Sequence, residues 1–191
     1  AHDWQVPDYV DEWIAHDLER EDRRRPLLAR MMAAAPFPHD AKRRVLDVGC
    51  GDGGVTDAAL RVFPNASVTL HDFSPVMLDR ARKHLTGRAG PIAYVQGDLT
   101  DERWTERVGG PFDLAVSAIA IHNLRDMKAI ATVYRAIHGL LVPGGCFLDS
   151  DHFARVGGTD AHLAALKGAG FDSVELIYEE ASTGIARALR N

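Results

Sequence analysis

At 191 residues the chain is sized for one domain with a substantial core, and its 46% hydrophobic and 26% charged residues are ordinary for a globular protein. A net charge of −5 excludes a general electrostatic attraction to nucleic acid or anionic membranes. Two cysteines, Cys50 and Cys146, exclude a disulfide framework and lack the spacing of a zinc site, so no metal is expected.

The first segment reads as helical. Val10, Trp13, Ile14 and Leu18 recur at i, i+3, i+4 and i+8, one apolar stripe of an amphipathic helix. The acidic start (Asp3, Asp8, Asp11, Glu12) is unlike the basic and then apolar opening of a signal peptide. No apolar run approaches the roughly 20 residues of a membrane span, and the expectation is a cytoplasmic protein with no membrane partner. Arg23, Arg24 and Arg25 read as a solvated charge run, although one arginine there suits a substrate carboxylate or phosphate. Pro26 fits the first turn of a second helix through Leu27, Leu28, Met31 and Met32, closed by Pro36 and Pro38.

After Arg44 short apolar runs alternate with helical patterns. Val45–Val48, Ser67–His71, Ile92–Val95, Leu114–Ala118 and Cys146–Leu148 read as strands. Helical patterns at Val55–Val62, Val76–Leu85, Glu102–Val108 and Lys128–Leu141 fall between them. Buried strands separated by helices imply a parallel sheet with right-handed crossovers. Ser173–Tyr178 and Gly184–Leu189 then close the chain as an antiparallel hairpin. The predicted fold is α/β: a Rossmann-like, mostly parallel seven-stranded sheet with helices on both faces, a C-terminal hairpin and a helical N-terminal extension. Residues 1–43 are expected to form a helical lid on a core of residues 44–191.

The sharpest segment is Val45-Leu46-Asp47-Val48-Gly49-Cys50-Gly51-Asp52-Gly53-Gly54, an apolar strand that passes through alternating glycines into a helix. Glycines there let the backbone turn tightly and approach a ligand, and the helix N-terminus behind offers free N–H groups. Taken alone, Gly49-x-Gly51-x-x-Gly54 also fits a dinucleotide site. Asp72 ends the second strand about 20 residues on, where a carboxylate can accept both ribose hydroxyl protons. Next come Phe73-Ser74-Pro75-Val76-Met77-Leu78, Gln96-Gly97-Asp98-Leu99, Phe112-Asp113, Leu141-Val142-Pro143-Gly144-Gly145 and Gly170-Phe171.

In that order these segments resemble the motifs of the class I S-adenosylmethionine (SAM)-dependent methyltransferases. The resemblance implies SAM as cofactor, S-adenosyl-L-homocysteine as product, and a site built from Asp47, Gly49, Gly51 and Gly53. It further implies that Asp72 holds the ribose, that Phe73 and Met77 pack on the adenine, and that Asp98 accepts from the exocyclic amine beside the Leu99 N–H. Ser117 would meet the methionine end.

Methyl transfer from a sulfonium is an in-line displacement, so the protein mainly positions and desolvates. A base is needed only when the acceptor carries a proton. Ligands on open α/β sheets sit beyond the carboxyl ends of the strands. His122 and His152 fall at that edge and are the catalytic candidates, with Tyr9 beside Trp4 and Trp13 in the helices expected to close over the transfer site. His71, inside a strand, reads as structural, and Asp149 and Asp151 could orient a histidine. The short Phe153–Thr159 span leaves little chain to cover a substrate. The expected function is methylation of a small molecule at oxygen by a monomer or homodimer with no nucleic-acid partner. An NAD-dependent oxidoreductase and a non-catalytic SAM-binding sensor module are the alternatives.

Overall fold

The computed structural model describes residues 4–18 and 21–191, except for the side chains of residues 13, 14, 16–18, 21 and 23. Two helices open the chain, α1 (Pro7–Leu18) and α2 (Glu21–Ala33). β1 (Arg44–Val48), α3 (Gly54–Val62), β2 (Ser67–Asp72), α4 (Pro75–His84), β3 (Ile92–Gln96), α5 (Trp104–Val108) and β4 (Phe112–Ala118) then alternate. A 3-10 turn (Ile121–Leu124) leads into α6 (Met127–Leu140) and β5 (Leu141–Asp151), and a second (Phe153–Arg155) into α7 (Thr159–Gly168). β6 (Ser173–Glu180) and β7 (Thr183–Leu189) end the described chain.

Among the described residues the strands form one seven-stranded sheet in the order β3-β2-β1-β4-β5-β7-β6. β1 to β5 are mutually parallel, while β7 runs antiparallel between β5 and β6. The order reverses at β1, so the carboxyl ends of β1 and β4 flank a crevice, the switch point where ligands of open α/β sheets bind. The terminal hairpin departs from the all-parallel dehydrogenase order.

Local chemistry accounts for the element boundaries. Ser74 caps α4, its hydroxyl accepting the Met77 N–H at 3.1 Å, with Pro75 at the first helical position. Asp126 caps α6 by accepting from the N–H groups of Lys128 and Ala129. β5 begins earlier than the sequence pattern indicated, at Leu141, because Pro143-Gly144-Gly145 forms an irregularity within the strand: Phe112 pairs with Leu141, and Leu114 with Cys146. A Cβ at Gly145 would sit 2.7 Å from the Val142 carbonyl, so this bend admits no side chain. Pro26 is a correction. α2 starts at Glu21, which places Pro26 inside the helix rather than in its first turn. The missing N–H and ring are tolerated because Leu28, Met31 and Met32 anchor that helix in the core.

The core lies on both faces of the sheet. On one, α2 contributes Leu28, Met31 and Met32 to a cluster with Val45, Val55, Leu60, Phe63, Leu70 and Leu114. On the other, Trp104, Ile130, Tyr134, Ile137 and Leu166 cover Leu46, Val48, Phe147 and Ala186. Burying a side chain such as Met31 contributes roughly 1.5–3 kcal/mol, so α2 is bound to the sheet and not merely tethered. No helix among the described residues is long and apolar enough to cross a membrane.

Candidate active site

A cavity of about 530 Å³ opens at the carboxyl edge of the sheet, where the order reverses. Its floor is the glycine loop (Gly49, Cys50, Gly51, Asp52), and its walls are His71–Phe73, Gly97–Thr100 and Ala118–Ala120. Arg24, Leu27 and Leu28 of α2, together with Trp4, form the far side.

The glycines answer two different demands. At Gly49, with φ +68°, a Cβ would lie 2.4 Å from the Ala120 Cβ, so the loops after β1 and β4 meet only because no side chain is there. At Gly51, with φ +53°, a Cβ would meet nothing within 4 Å and would occupy cavity space instead. The Gly51 N–H donates to Asp72 Oδ2 at 2.9 Å, and the Ser74 N–H donates to Asp72 Oδ1 at 2.8 Å. Burial raises the Asp72 carboxyl above its ordinary range, and these two donors oppose that rise. Asp98 Oδ1 accepts from the backbone and hydroxyl of Thr100.

These residues fit an adenosyl group. Gly51 leaves space that a side chain would fill, Asp72 and Asp98 offer acceptors for hydroxyls and an amine, and Phe73, Met77 and Leu99 supply apolar surface. Phe73 is 44% exposed at the cavity, so its ring offers apolar surface there.

The structure brings Gly49, Gly51, Asp72, Phe73, Met77, Asp98 and Leu99 to the cavity. Asp47, Gly53 and Ser117 stand behind its wall. Asp47 is fully buried, accepts from the Thr56 hydroxyl at 2.6 Å, and is pushed up to about 7 by desolvation. Gly53, at φ +86°, turns the chain into α3 against Leu85 and Ala81. Ser117 is buried, and its hydroxyl has no hydrogen-bond partner.

His122 and His152 come together, though outside the cavity lining. The His122 N–H donates to Asp151 Oδ2 at 2.9 Å, and His122 Nδ1 lies 2.5 Å from Asp151 Oδ1. The two imidazole centroids are 5.4 Å apart. Arg155 Nη1 lies 3.5 Å from His122 Nε2, and the Thr183 hydroxyl 3.0 Å from His152 Nδ1. Burial, then the charge of Arg155, lowers His152. Tyr9 packs edge-on against Trp4 at 5.2 Å; burial raises its phenol, which Arg125 opposes. The Trp13 side chain, expected beside them, lies outside the described residues.

One sequence expectation is corrected. Arg24 is not a solvated member of a charge run: its side chain is largely buried, pairs with Asp52 at 3.3 Å, and occupies the space a Cβ at Gly54 would take. The Arg23 side chain lies outside the described residues. His71 is buried against Trp104, with ring centroids 5.3 Å apart, at the wall of the cavity, and burial lowers it to about 4. Sequence reasoning also passed over Ile119, Ala120, Asn123, Arg125 and Ser150, all at the cavity. Ile119 and Arg125 hold positive φ of 52° and 55°, a backbone shape that no local motif announces.

Residues 45–145 match the model of a family described as a methyltransferase domain. The chain is 32% identical over 127 residues to a malonyl-[acyl-carrier protein] O-methyltransferase of Neorickettsia risticii, covering 61% of this chain and 48% of that protein. It is 32% identical over 145 residues to a trans-aconitate 2-methyltransferase of Rhodopseudomonas palustris, covering 75% and 48%. The chain thus spans about half the length of the curated relatives it matches. Among solved structures, an O-methyltransferase family protein from Burkholderia thailandensis superposes with a TM-score of 0.75 at 19% identity, covering 95% of this chain and 59% of that one. The N-methyltransferase NodS from Bradyrhizobium japonicum, in complex with S-adenosyl-L-homocysteine, superposes with 0.68 at 21% identity, covering 89% and 87%.

Proposed function

Because the chain belongs to the class I SAM-dependent methyltransferases, we propose that it methylates a small molecule at oxygen, with His122 taking the acceptor's proton. The observation that carries this reading is the His122–Asp151 pair. One carboxylate oxygen receives the His122 backbone N–H and the other lies 2.5 Å from Nδ1, so Asp151 accepts from Nδ1 and leaves Nε2 as the nitrogen that would take a proton.

SAM, when bound, supplies an electrophilic methyl on a sulfonium and a neutral thioether as leaving group. Asp72 and Asp98 would hold the nucleoside portion, and Phe73 and Met77 would cover its base. Gly49 and Gly51 keep the loop free of side chains on the cavity side. Trp4 and α2 form one side of the cavity, where with ligand bound they would help exclude water and so strengthen the polar contacts inside it. In this reading residues 1–43 serve as a lid on a core of residues 44–191. Membership of the family sets aside the dinucleotide reading of the glycine loop.

A second reading is favoured by the cations of the cavity. Arg24 and Arg125 line it, and both named relatives act on acceptors that carry a free carboxylate. A carboxylate has no proton to lose near neutral pH, so no base would be required. The test common to both is the pH dependence of methyl transfer across a panel of hydroxylated and carboxylated small molecules. A rate that climbs with pH and depends on His122 supports the first reading. A flat profile on a di- or tricarboxylate, indifferent to His122, replaces it with the second. No turnover of any acceptor, with cofactor still bound, would leave a SAM-binding module.

A further inference from the structure

Asp149 and Asp151 are separated by one residue on β5 and project to the face opposite Ser150, which lines the cavity. On that face lies a polar chain none of whose members lines the cavity. Tyr134 on α6, Asp149, and His162 on α7 are each fully buried. Tyr134 Oη lies 2.7 Å from Asp149 Oδ2 and 2.7 Å from His162 Nδ1. His162 Nε2 lies 2.9 Å from the Val156 carbonyl oxygen.

Counting protons constrains these contacts. A carbonyl only accepts, so His162 Nε2 carries a proton. Tyr134 has one hydroxyl proton for two contacts, so the other contact takes its proton from a neighbour. Either His162 is an imidazolium donating from Nδ1, or Asp149 is a carboxylic acid donating to the phenol. The first choice leaves a buried carboxylate and a buried cation separated by a phenol, with Asp149 Oδ1 lacking any hydrogen-bond partner. It also sets a second anion beside Asp151. The groups facing Asp149 are Tyr134 from α6, His162 from α7, Asp151 on its own strand, and His122 acting on His162. Burial and Asp151 drive the Asp149 carboxyl well upward against the opposing Tyr134 hydroxyl, while burial lowers His162 against the Val156 carbonyl and Asp151.

We propose that Asp149 is a carboxylic acid heading a neutral relay, Asp149 to Tyr134 to His162 to the Val156 carbonyl, that pins the segment after β5 and so positions Arg155 and His152 against His122. The relay crosses three elements and ends one residue beyond Arg155, whose guanidinium lies 3.5 Å from His122 Nε2. Asp149 is thereby a positioning residue.

Infrared difference spectra of the folded wild type against Asp149→Asn, together with nitrogen-15 shifts of His162, read the proton directly. The expected result is a carboxylic-acid carbonyl band near neutral pH that disappears in the variant, with His162 neutral in the wild type. Asparagine also donates to the phenol, so Asp149→Asn should keep amide-exchange protection across residues 153–158. Asp149→Leu should speed exchange there by roughly fivefold, the loss of one hydrogen bond, and Tyr134→Phe, which removes both contacts of the phenol, by more. Absence of the acid band, or an imidazolium at His162, would replace the neutral relay with a charge-separated pair. Unchanged exchange in both Asp149→Leu and Tyr134→Phe would show that the chain pins nothing. These readouts do not require turnover, so they stand apart from the proposed reaction.

Discussion

Asp72 Oδ2 accepts the Gly51 N–H at 2.9 Å, so the carboxylate that faces the cavity from β2 also fixes the glycine loop after β1. One side chain therefore both shapes the glycine loop and faces the cavity. Asp72→Ala should weaken S-adenosyl-L-homocysteine binding by roughly 2–4 kcal/mol, because charge-assisted hydrogen bonds are lost while the loop loosens. Titration calorimetry on the folded variant measures this, and an unaltered dissociation constant would mean the ribose lies elsewhere.

Two glycines in the same loop should fail differently. Gly49→Ala forces a Cβ to 2.4 Å from that of Ala120 at a positive φ, and should destabilise the fold by about 1–3 kcal/mol in urea unfolding. At Gly51 the Cβ of a valine meets no protein atom within 4 Å, and the side chain extends into cavity space. Gly51→Val should fold, with a loss of order 1–2 kcal/mol for its left-handed backbone, and fail to bind the cofactor. If Gly51→Val binds normally, the glycine loop is not the cofactor floor.

Asp47 gives a pH signature. Its carboxyl is pushed from 3.8 up to about 7 by burial, so the folded state holds a proton that the unfolded chain releases. Its contribution to stability is complete below the unfolded value and is lost as pH rises through about 7. Comparing urea unfolding at several pH values between these limits, Asp47→Asn should remove a slope amounting to a few kcal/mol at most. Asparagine still accepts from Thr56, so the variant should fold. Parallel wild-type and variant curves would show that Asp47 titrates normally.

His122→Gln should leave cofactor affinity nearly intact and lower turnover by about 10²–10⁴, the usual yield of a general base. The limb of the rate profile that rises with pH should vanish with it. A variant with most of its turnover and the same profile would point to the carboxylate acceptor, for which positioning by Arg24 and Arg125 suffices.

A further expectation concerns the contact between α2 and the glycine loop. Arg24 Nη2 lies 3.3 Å from Asp52 Oδ1, with both side chains less than one-fifth exposed at 19% and 18%. Arg24→Ala should raise the dissociation constant for S-adenosyl-L-homocysteine severalfold by loosening the side of the cavity that α2 forms, with a loss of stability of about 1 kcal/mol or less. No change in affinity would separate α2 from the cofactor site.

The sequence by itself determined the parallel strands, the terminal hairpin and the glycine loop, but not the order of the strands in the sheet. Each rests on local patterning: period-two or continuous apolar runs, helical stripes, and glycines placed where a Cβ is not allowed. Asp72 at the end of β2 was legible for the same reason. What only the tertiary structure decided are pairings between residues far apart in the chain. Arg24 meets Asp52, His122 meets Asp151, and Tyr134 joins Asp149 to His162, none within one element. Likewise Asp47 and Ser117 proved to stand behind the cavity wall, because which face of a strand end reaches a ligand depends on how the neighbouring loops close over it. Ile119, at positive φ, precedes the Ala120 that packs over Gly49, and Arg125, also at positive φ, closes the 3-10 turn that follows, its N–H donating to the His122 carbonyl. Side-chain periodicity places a residue on a face, but only packing settles which other chain segment lies against it, and burial then decides which of those groups keeps its proton.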